Sequence, residues 1–466
     1  FNGAVNGAQA LTIAGTGTTQ FNAAVGGTTA LASLTTNAGA TASFLDVTTT
    51  GAQTHSAATT LNGAYATTSG AFAANGAVTL AGDTTVNGGS SVLFAGTVDG
   101  AYALVINNKS TTQFTGTVGG TTALASLTTD AGGTSSVKSV TTTGAQTYND
   151  AVTLDGTYTT GSGAFTANGA ATLAGATTVN GGSVLFAGTV DGAQALVINS
   201  KGATQFSGTV GGTTALASLT TDAGGTSSLR TVTTTGAQTY NDAVTLNGTY
   251  TTGSGNFAAN GAATLAGDTT VNGGSSVLFA GTVDGAHALA VNNKGTTQFA
   301  GTVGGTTALA SLTTDATGTS SVKSVTTTGA QTYNDAVTLD GTYTGGTVTA
   351  NAAATLAGAT TVNAGTATFN GAVNGAQALT IAGTGTTQFN AAVGGTTALA
   401  SLTTNAGATV SFLDVTTTGA QTHGAATTLN GAYSSLNSPI TFNGATTLAG
   451  TTLVDAGYGT ITFNGT

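Results

Sequence analysis

The sequence predicts an all-β protein, a single elongated parallel β-helix (β-solenoid) made of short stacked coils. One string, VGGTTALASLTT, occurs five times at intervals of 90 to 93 residues, beginning at Val25, Val118, Val210, Val303 and Val393. Residues 1–65 also return from Phe369 onward with two changes. Helix signals are missing, because the chain has no Glu and only 5% charged residues but abundant Gly and Thr. Such an array is expected to bury its core by stacking unit on unit.

A shorter period inside each copy sets the predicted coil length. Aromatic residues recur at steps of 34, 17, 22 and 20 residues, at Phe206, Tyr240, Phe257, Phe279 and Phe299. We interpret the step of 34 as two coils with Leu229 in the core between them. Each copy then holds about five coils of three short strands, and the whole chain holds about 24 coils. At about 4.8 Å per coil, the predicted rod is on the order of 115 to 120 Å long.

Strand and turn signals fit this prediction. The segments Ser275–Val283 (SSVLFAGTV) and Ala151–Leu154 (AVTL) are short and rich in β-formers. Asn-Gly and Asp-Gly pairs supply corners of positive φ, at Asn2-Gly3, Asn62-Gly63, Asp99-Gly100 and Asn247-Gly248. Pro439, the one proline, should lie at a corner because it cannot donate to a strand ladder.

The repeats predict one continuous solenoid over 1–466, with no domain boundary. Its repeat units are approximately 21–113, 114–205, 206–298, 299–388 and 389–466, and 1–20 is the end of a preceding unit. Charged sites such as Asp99, Asp191 and Asp284 recur once per unit. Five coils would hold them roughly 24 Å apart, beyond the Debye length of about 8 Å, so the stack avoids ladders of like charge.

Composition excludes several classes of function. A net charge of −10, with 16 Asp against six Lys and Arg, argues against nucleic acid, which needs clustered cations. No apolar run approaches the roughly 20 residues of a membrane-spanning helix. The absence of Cys removes disulfides, thiolate metal sites and thiol nucleophiles. Calcium is the metal that the oxygen-rich composition would favour, but no calcium-binding repeat motif is present, and we expect no cofactor.

The copies themselves test candidate catalytic residues, since a catalytic group should not be exchanged freely between equivalent coils. His55 and His423 occupy the position of Tyr148, Tyr240 and Tyr333, which indicates a structural role. Asp150 is replaced by Ala57 in the first copy, and Asp130 by Asn37. These positions suit Asx side chains that cap turns. We therefore predict no enzyme, although two Asp of adjacent coils in one groove would reopen the question of glycan cleavage.

Threonine is the most abundant functional group, and its runs form the one candidate surface. On a solenoid these runs offer a Thr face for ice or carbohydrate, whereas the alternative is simple β-propensity and solubility. The candidate residues are Thr48, Thr49, Thr50, Thr141, Thr142, Thr143, Thr233, Thr234, Thr235, Thr326, Thr327, Thr328, Thr416, Thr417 and Thr418.

The coils GAQTYNDAVTL, NGAATLAGDTTVNGG and SSVLFAGTVDGA resemble the repeat regions of large bacterial surface proteins, the filamentous haemagglutinin-like adhesins and autotransporter passengers. The resemblance covers essentially the whole chain and implies a right-handed β-helix, export, and a structural role as an extracellular stalk, adhesin or fibre at the cell surface. Its partners would be further repeats or copies end to end, and cell surfaces or glycans. The alternative function is an ice- or carbohydrate-binding solenoid.

Overall fold

The computed structural model describes residues 1–465, and every regular element in that range is a β-strand. Thr466, the last residue of the predicted final unit, lies outside the described residues. The chain divides into two compact units, Phe1–Thr235 (unit 1) and Gly236–Thr466 (unit 2). No helix within 1–465 is long and apolar enough to cross a membrane.

The strands of unit 1 are β1 Ala10–Ile13, β2 Thr18–Gln20, β3 Ser33–Thr36, β4 Thr41–Phe44, β5 Val47–Thr49, β6 Gln53–His55, β7 Ala58–Thr67, β8 Phe72–Ala74, β9 Val78–Gly88, β10 Val92–Phe94, β11 Val98–Asp99, β12 Ala103–Asn108, β13 Thr111–Phe114, β14 Ser126–Thr129, β15 Thr134–Thr142, β16 Gln146–Tyr148, β17 Ala151–Thr160, β18 Ala164–Ala167, β19 Ala171–Gly181, β20 Ser183–Phe186, β21 Val190–Asp191, β22 Ala195–Ser200, β23 Ala203–Phe206, β24 Ser218–Thr221, β25 Thr226–Leu229 and β26 Val232–Thr234.

The strands of unit 2 are β27 Gln238–Tyr240, β28 Ala243–Thr252, β29 Phe257–Ala259, β30 Ala263–Gly273, β31 Ser276–Phe279, β32 Val283–Asp284, β33 Ala288–Asn293, β34 Thr296–Val303, β35 Ser311–Thr314, β36 Thr319–Thr326, β37 Ala330–Tyr333, β38 Ala336–Ala350, β39 Ala354–Phe369, β40 Val373–Asn374, β41 Ala378–Ile381, β42 Thr386–Phe389, β43 Ser401–Thr404, β44 Thr409–Phe412, β45 Val415–Thr417, β46 Gln421–His423, β47 Ala426–Ser435, β48 Ile440–Phe442, β49 Thr446–Asp455 and β50 Ile461–Phe463.

Each coil is a triangle of three short strand segments, and each segment pairs in parallel with the one a coil later. In unit 1, β3, β4 and β5 form the three faces of one coil, and β6 returns to pair with β3. The register joins Leu34 to Gln53 and Thr36 to His55. Alternate residues point inward, so short apolar and Thr-rich segments can fill a narrow core. The predicted parallel β-solenoid is confirmed in each unit.

The core is a column of small and aromatic side chains. Phe1, Phe21 and Phe44 stack ring on ring, with centroids 4.6 and 4.9 Å apart. Leu229 is buried as predicted. Its counterparts in the other copies are also buried: Phe44, Val137, Val322 and Phe412. Ring stacking along the axis therefore adds to the backbone ladders in holding consecutive coils together.

A tyrosine closes an irregular corner in the copies that the hydrogen bonds describe. Tyr158 donates its hydroxyl proton to the carbonyl of Val137 in the previous coil and accepts the N–H of Asp155. Tyr65, Tyr343 and Tyr433 make the same pair of bonds. The corner carries a register shift, so the hydroxyl satisfies two backbone groups that the ladder leaves unpaired.

Two local predictions about turns can be checked directly. Gly63, Gly100 and Gly248 have φ values of 108°, 134° and 114°, as expected for the Asn-Gly and Asp-Gly corners, but Gly3 is not among the residues of positive φ. Pro439 lies between the bend at 436–438 and the start of β48, and its carbonyl accepts the N–H of Gln421. The proline is therefore placed at a corner, as the sequence predicts.

The long repeat is close to the predicted five coils but is not a whole number of them. Leu34 stacks through Gln53, Phe72 and Val92 to Thr112, which is four coils. The next two faces lie at Val118 and at Leu127, and Leu127 is the sequence counterpart of Leu34. One repeat therefore spans four coils and two thirds of another.

Unit 2 shows the same pitch. Leu312 stacks through Gln331, Val348 and Ala367 to Thr387, four coils later, and its sequence counterpart Leu402 lies two faces beyond Thr387. Equivalent residues of consecutive copies within a unit consequently lie on different faces, a third of a turn apart. Like charges are thus separated by direction as well as by a rise of roughly 22 Å, slightly less than five coils would give.

Candidate functional site

The Thr runs alternate between core and surface. In every run the first residue is half-buried, the second is buried and the third is exposed, because successive residues of a strand point to opposite sides. Thr49 donates its hydroxyl to the carbonyl of Gly51 at 2.6 Å, and Thr142 donates to Gly144 at 2.7 Å. Each run thus presents one exposed residue, such as Thr50, whose hydroxyl donates to the carbonyl of Leu31 in the preceding coil at 3.3 Å. The middle residue holds a corner.

Because one repeat is not a whole number of coils, the exposed Thr residues of consecutive copies in unit 1 lie on different faces of the solenoid. Thr49 stacks on Thr67 and Thr142 on Thr160, in separate columns of unit 1. The exposed neighbours of Thr49 and Thr142 therefore lie on different faces. Within unit 1 the structure therefore does not bring the predicted Thr residues of these consecutive copies together on one plane.

The three histidines occupy two kinds of environment. His55 and His423 are fully buried, and each packs edge-on against a phenylalanine of the preceding coil. Burial lowers the pKa of both imidazoles to about 4. Neither ring nitrogen of His55 has a hydrogen-bond partner. His287 is instead on the surface, with its Nδ1 3.7 Å from Oδ1 of Asp268.

The size of the core side chain beside each buried histidine changes when tyrosine replaces that histidine in another copy. Where the first copy has Phe44 beside His55, the second has Val137 beside Tyr148. The larger Tyr148 ring places its hydroxyl on Oε1 of Gln146 at 3.3 Å, whereas Oε1 of Gln53 has no partner. This pairing of a large with a small side chain explains why histidine and tyrosine interchange, and it gives the histidine a packing role.

The aspartates of the YND turns are buried, which turn-capping alone does not predict. Asp150 is 3% exposed; its carboxylate accepts hydrogen bonds from Thr129 at 2.8 Å and Ser135 at 2.6 Å. Burial raises the pKa of Asp150, and the two hydroxyl donors oppose that rise. In the first copy Ala42 and Ala57 replace Ser135 and Asp150 together.

The same arrangement recurs in unit 2. The carboxylate of Asp335 accepts from Thr314 and Ser320, and burial raises its pKa as well. In the last copy Val410 and Ala425 stand at the positions of Ser320 and Asp335. Serine and aspartate are gained or lost as a pair, so these carboxylates complete an internal polar cluster.

A surface cleft that the sequence reasoning missed occurs at equivalent positions in both units; we call it the glycine cleft. In unit 1 it has a volume of about 300 Å³ and is lined by Thr159, Thr160, Gly161, Asn180, Gly181, Gly182, Asn199, Lys201 and Asp222. In unit 2 it has a volume of about 280 Å³ and is lined by Thr251, Thr252, Gly253, Asn272, Gly273, Gly274, Asn292, Asn293, Lys294 and Asp315.

The glycine cleft exists because a Gly-Gly step interrupts the surface between two coils that carry side chains. A Cβ on Gly182 would come within 2.6 Å of the carbonyl oxygen of Ser162, and one on Gly273 within 2.5 Å of the Val277 side chain. The backbone is therefore packed too closely for a side chain there. The step leaves an open floor between Thr159 on one side and Asn199 and Lys201 on the other.

Polar ladders hold the walls of the cleft. Asn199 donates from Nδ2 to Oδ1 of Asn180 at 2.7 Å, and Asn180 donates to the hydroxyl of Thr159 at 3.2 Å. Asp222 accepts the backbone N–H of Ser200 at 3.0 Å and so fixes the corner beside Lys201. Asn292, Asn272 and Thr251 repeat the first ladder in unit 2, and Asp315 repeats the second contact.

The charged pair of the cleft is present or absent as a set. Lys109 and Asp130 occupy the corresponding positions one repeat before Lys201 and Asp222. In the last copy the positions of Lys294 and Asp315 hold Thr384 and Asn405. This exchange is the signal that could have revealed the cleft from the sequence. Within residues 1–465 no three His, Cys, Asp or Glu side chains come together to hold a metal ion.

Comparison of the chain with protein-family models, curated proteins and solved structures found no match.

Proposed function

We propose that this chain is a structural extracellular protein, a rigid β-solenoid stalk or fibre of the filamentous haemagglutinin-like adhesin or autotransporter-passenger type, placed at a bacterial cell surface. The supporting observation is the organisation of each unit as parallel coils whose backbone ladders and ring stacks run along one axis. Polar side chains of the core, including Gln146 and Asp150, are used to hold coils together. The contacts of the interior therefore stiffen the stack of coils.

End-to-end contact between coils is part of this proposal. Leu448, Ile461 and Phe463 of the last described coils are about half exposed or more, although they stack on residues of the preceding coil that are fully buried. A further coil would bury these apolar side chains and pair the open strand edges. That coil would come from the same chain or from a second copy.

Electron microscopy of the native material, without added ligand, tests the proposal. We expect continuous fibres, longer than one chain, on the surface of the cells that make the protein or shed from it. Antibody labelling against this segment should decorate the fibres along their length. Discrete particles of one chain each, or labelling confined to the cell interior, would overturn the proposal.

A further inference from the structure

We propose that the glycine cleft binds one neutral, hydroxyl-rich sugar unit of a glycan. The inference concerns the side of the solenoid and does not depend on fibre formation. It begins from size, because about 280 to 300 Å³ lies at the lower end of ligand pockets and suits a single small unit. The cleft is open to solvent along the coil, so one sugar unit of a longer glycan can occupy it while the rest of the glycan stays outside.

The lining offers donors and acceptors in near balance, which is what a sugar hydroxyl requires. The amide of Asn199 uses one Nδ2 proton in the ladder, and its Oδ1 has no partner within the described residues. Asn180 is bonded to both neighbours and holds the position of the ladder. The Lys201 ammonium donates and the Asp222 carboxylate accepts. Each hydroxyl of a bound sugar can therefore give one hydrogen bond and receive another.

Charge selects against other ligands. Lys201 and Asp222 line the same cleft but form no ion pair with each other. Asp222 uses Oδ1 to accept the N–H of Ser200, so its second carboxylate oxygen and the Lys201 ammonium are left for a ligand. Their charges cancel, which removes the advantage that an anionic ligand would need. A divalent cation would find one carboxylate beside an ammonium group instead of several oxygen anions. An apolar ligand would find no aromatic ring and no Leu, Ile or Val side chain among the lining residues.

The lack of an aromatic platform predicts weak binding at each cleft. Sugar rings gain much of their affinity by stacking on aromatic rings, and the lining of the cleft contains none, so we expect a dissociation constant of about 1 mM or weaker. Several clefts on one chain would compensate, because linked sites raise the overall affinity for a polymer.

The test is saturation-transfer difference NMR on the purified chain with single monosaccharides as probes: glucose, galactose, mannose and N-acetylglucosamine, with glucuronic acid and glucosamine as charged comparisons. At least one neutral sugar should give a saturable signal. A variant carrying K109T, D130N, K201T, D222N, K294T and D315N should lose about tenfold or more of that affinity. It should fold, because Thr384 and Asn405 already occupy these positions in the last copy.

A matched control removes charges elsewhere. Lys138 and Lys323 lie outside the glycine cleft, and the first copy has Leu45 at their position, so K138L/K323L should fold and keep the affinity. The proposal would be overturned by the absence of a signal with every neutral sugar, by unchanged affinity in the cleft variant, or by preference for a charged sugar. Any of these results would leave fibre formation untouched.

Discussion

Acidification should loosen the coils that contain the buried histidines and spare their counterparts. His55 and His423 have pKa values lowered from 6.5 to about 4 by burial among aromatic rings. The unfolded chain binds a proton near pH 6.5, but the folded chain does so only near pH 4. Between these values the unfolded state holds more protons, so stability is complete above pH 6.5 and falls as the pH drops.

The size of the effect follows from the pKa difference. At pH 5 each buried histidine should cost about 2 kcal/mol of local stability, and below pH 4 about 3 kcal/mol, from about 1.4 kcal/mol for each unit of pKa shift. The second copy provides an internal comparison, since it has Tyr148 in place of His55. Its Asp150 has a raised pKa, so that carboxylate favours the folded state at low pH and destabilises it as the pH rises.

Native-state hydrogen exchange at pH 7.5 and pH 5.0, corrected for intrinsic exchange rates, measures these local stabilities. Peptides covering β6 and β7 should lose about 2 kcal/mol of protection at pH 5, whereas peptides covering β16 and β17 should lose none. The double variant F44V/H55Y, which copies the second repeat, should abolish the loss. Equal pH dependence in the two regions, or an unchanged dependence in F44V/H55Y, would refute this reasoning.

Three further predictions concern packing and polar contacts. H55Y alone should destabilise β4 and β6 by about 1 to 3 kcal/mol because the tyrosine ring is overpacked against Phe44, and the second substitution F44V should restore that stability. Hydrogen exchange measures this coupling, and additive effects of the two substitutions would contradict the size exchange. D150A should lower the local stability by about 1 to 3 kcal/mol because it leaves the hydroxyls of Thr129 and Ser135 unpaired, and S135A/D150A should lower it by less. Hydrogen exchange in β15 to β17 measures both effects, and a greater loss of stability in the double variant would argue against the pairing. T49V should destabilise its corner by about 1 kcal/mol because the Thr49 hydroxyl donates to the carbonyl of Gly51. Unchanged local stability of T49V in urea-dependent exchange would count against this role.

The architecture was predictable because repetition and strand propensity point the same way. Leu229 and Pro439 were placed correctly, since apolar spacing and the missing N–H of proline are local properties. The coil number was close but not exact. Aromatic spacing counts turns of the chain, whereas the two extra faces at Val118 and Leu127 appear only when strand register is known.

The candidate site was harder to predict because it depends on side chains that meet across coils. Asp150 suits a turn cap when its own segment is considered, but Thr129 and Ser135 reach it from 21 and 15 residues away. The glycine cleft likewise joins Gly182 to Lys201 and Asp222 from later coils. Exchange of residues in pairs between copies carried this information, but only comparison of the copies position by position would have revealed it.

The fractional pitch has a consequence for inheritance. Copies this similar favour unequal recombination, which adds or removes whole repeats and leaves the sequence of every remaining coil intact. Loss of the copy at 114–205 would shorten unit 1 by roughly 22 Å. It would also turn every downstream surface feature of that unit by a third of a revolution. A single genetic event could thus redirect an exposed epitope while leaving its sequence intact.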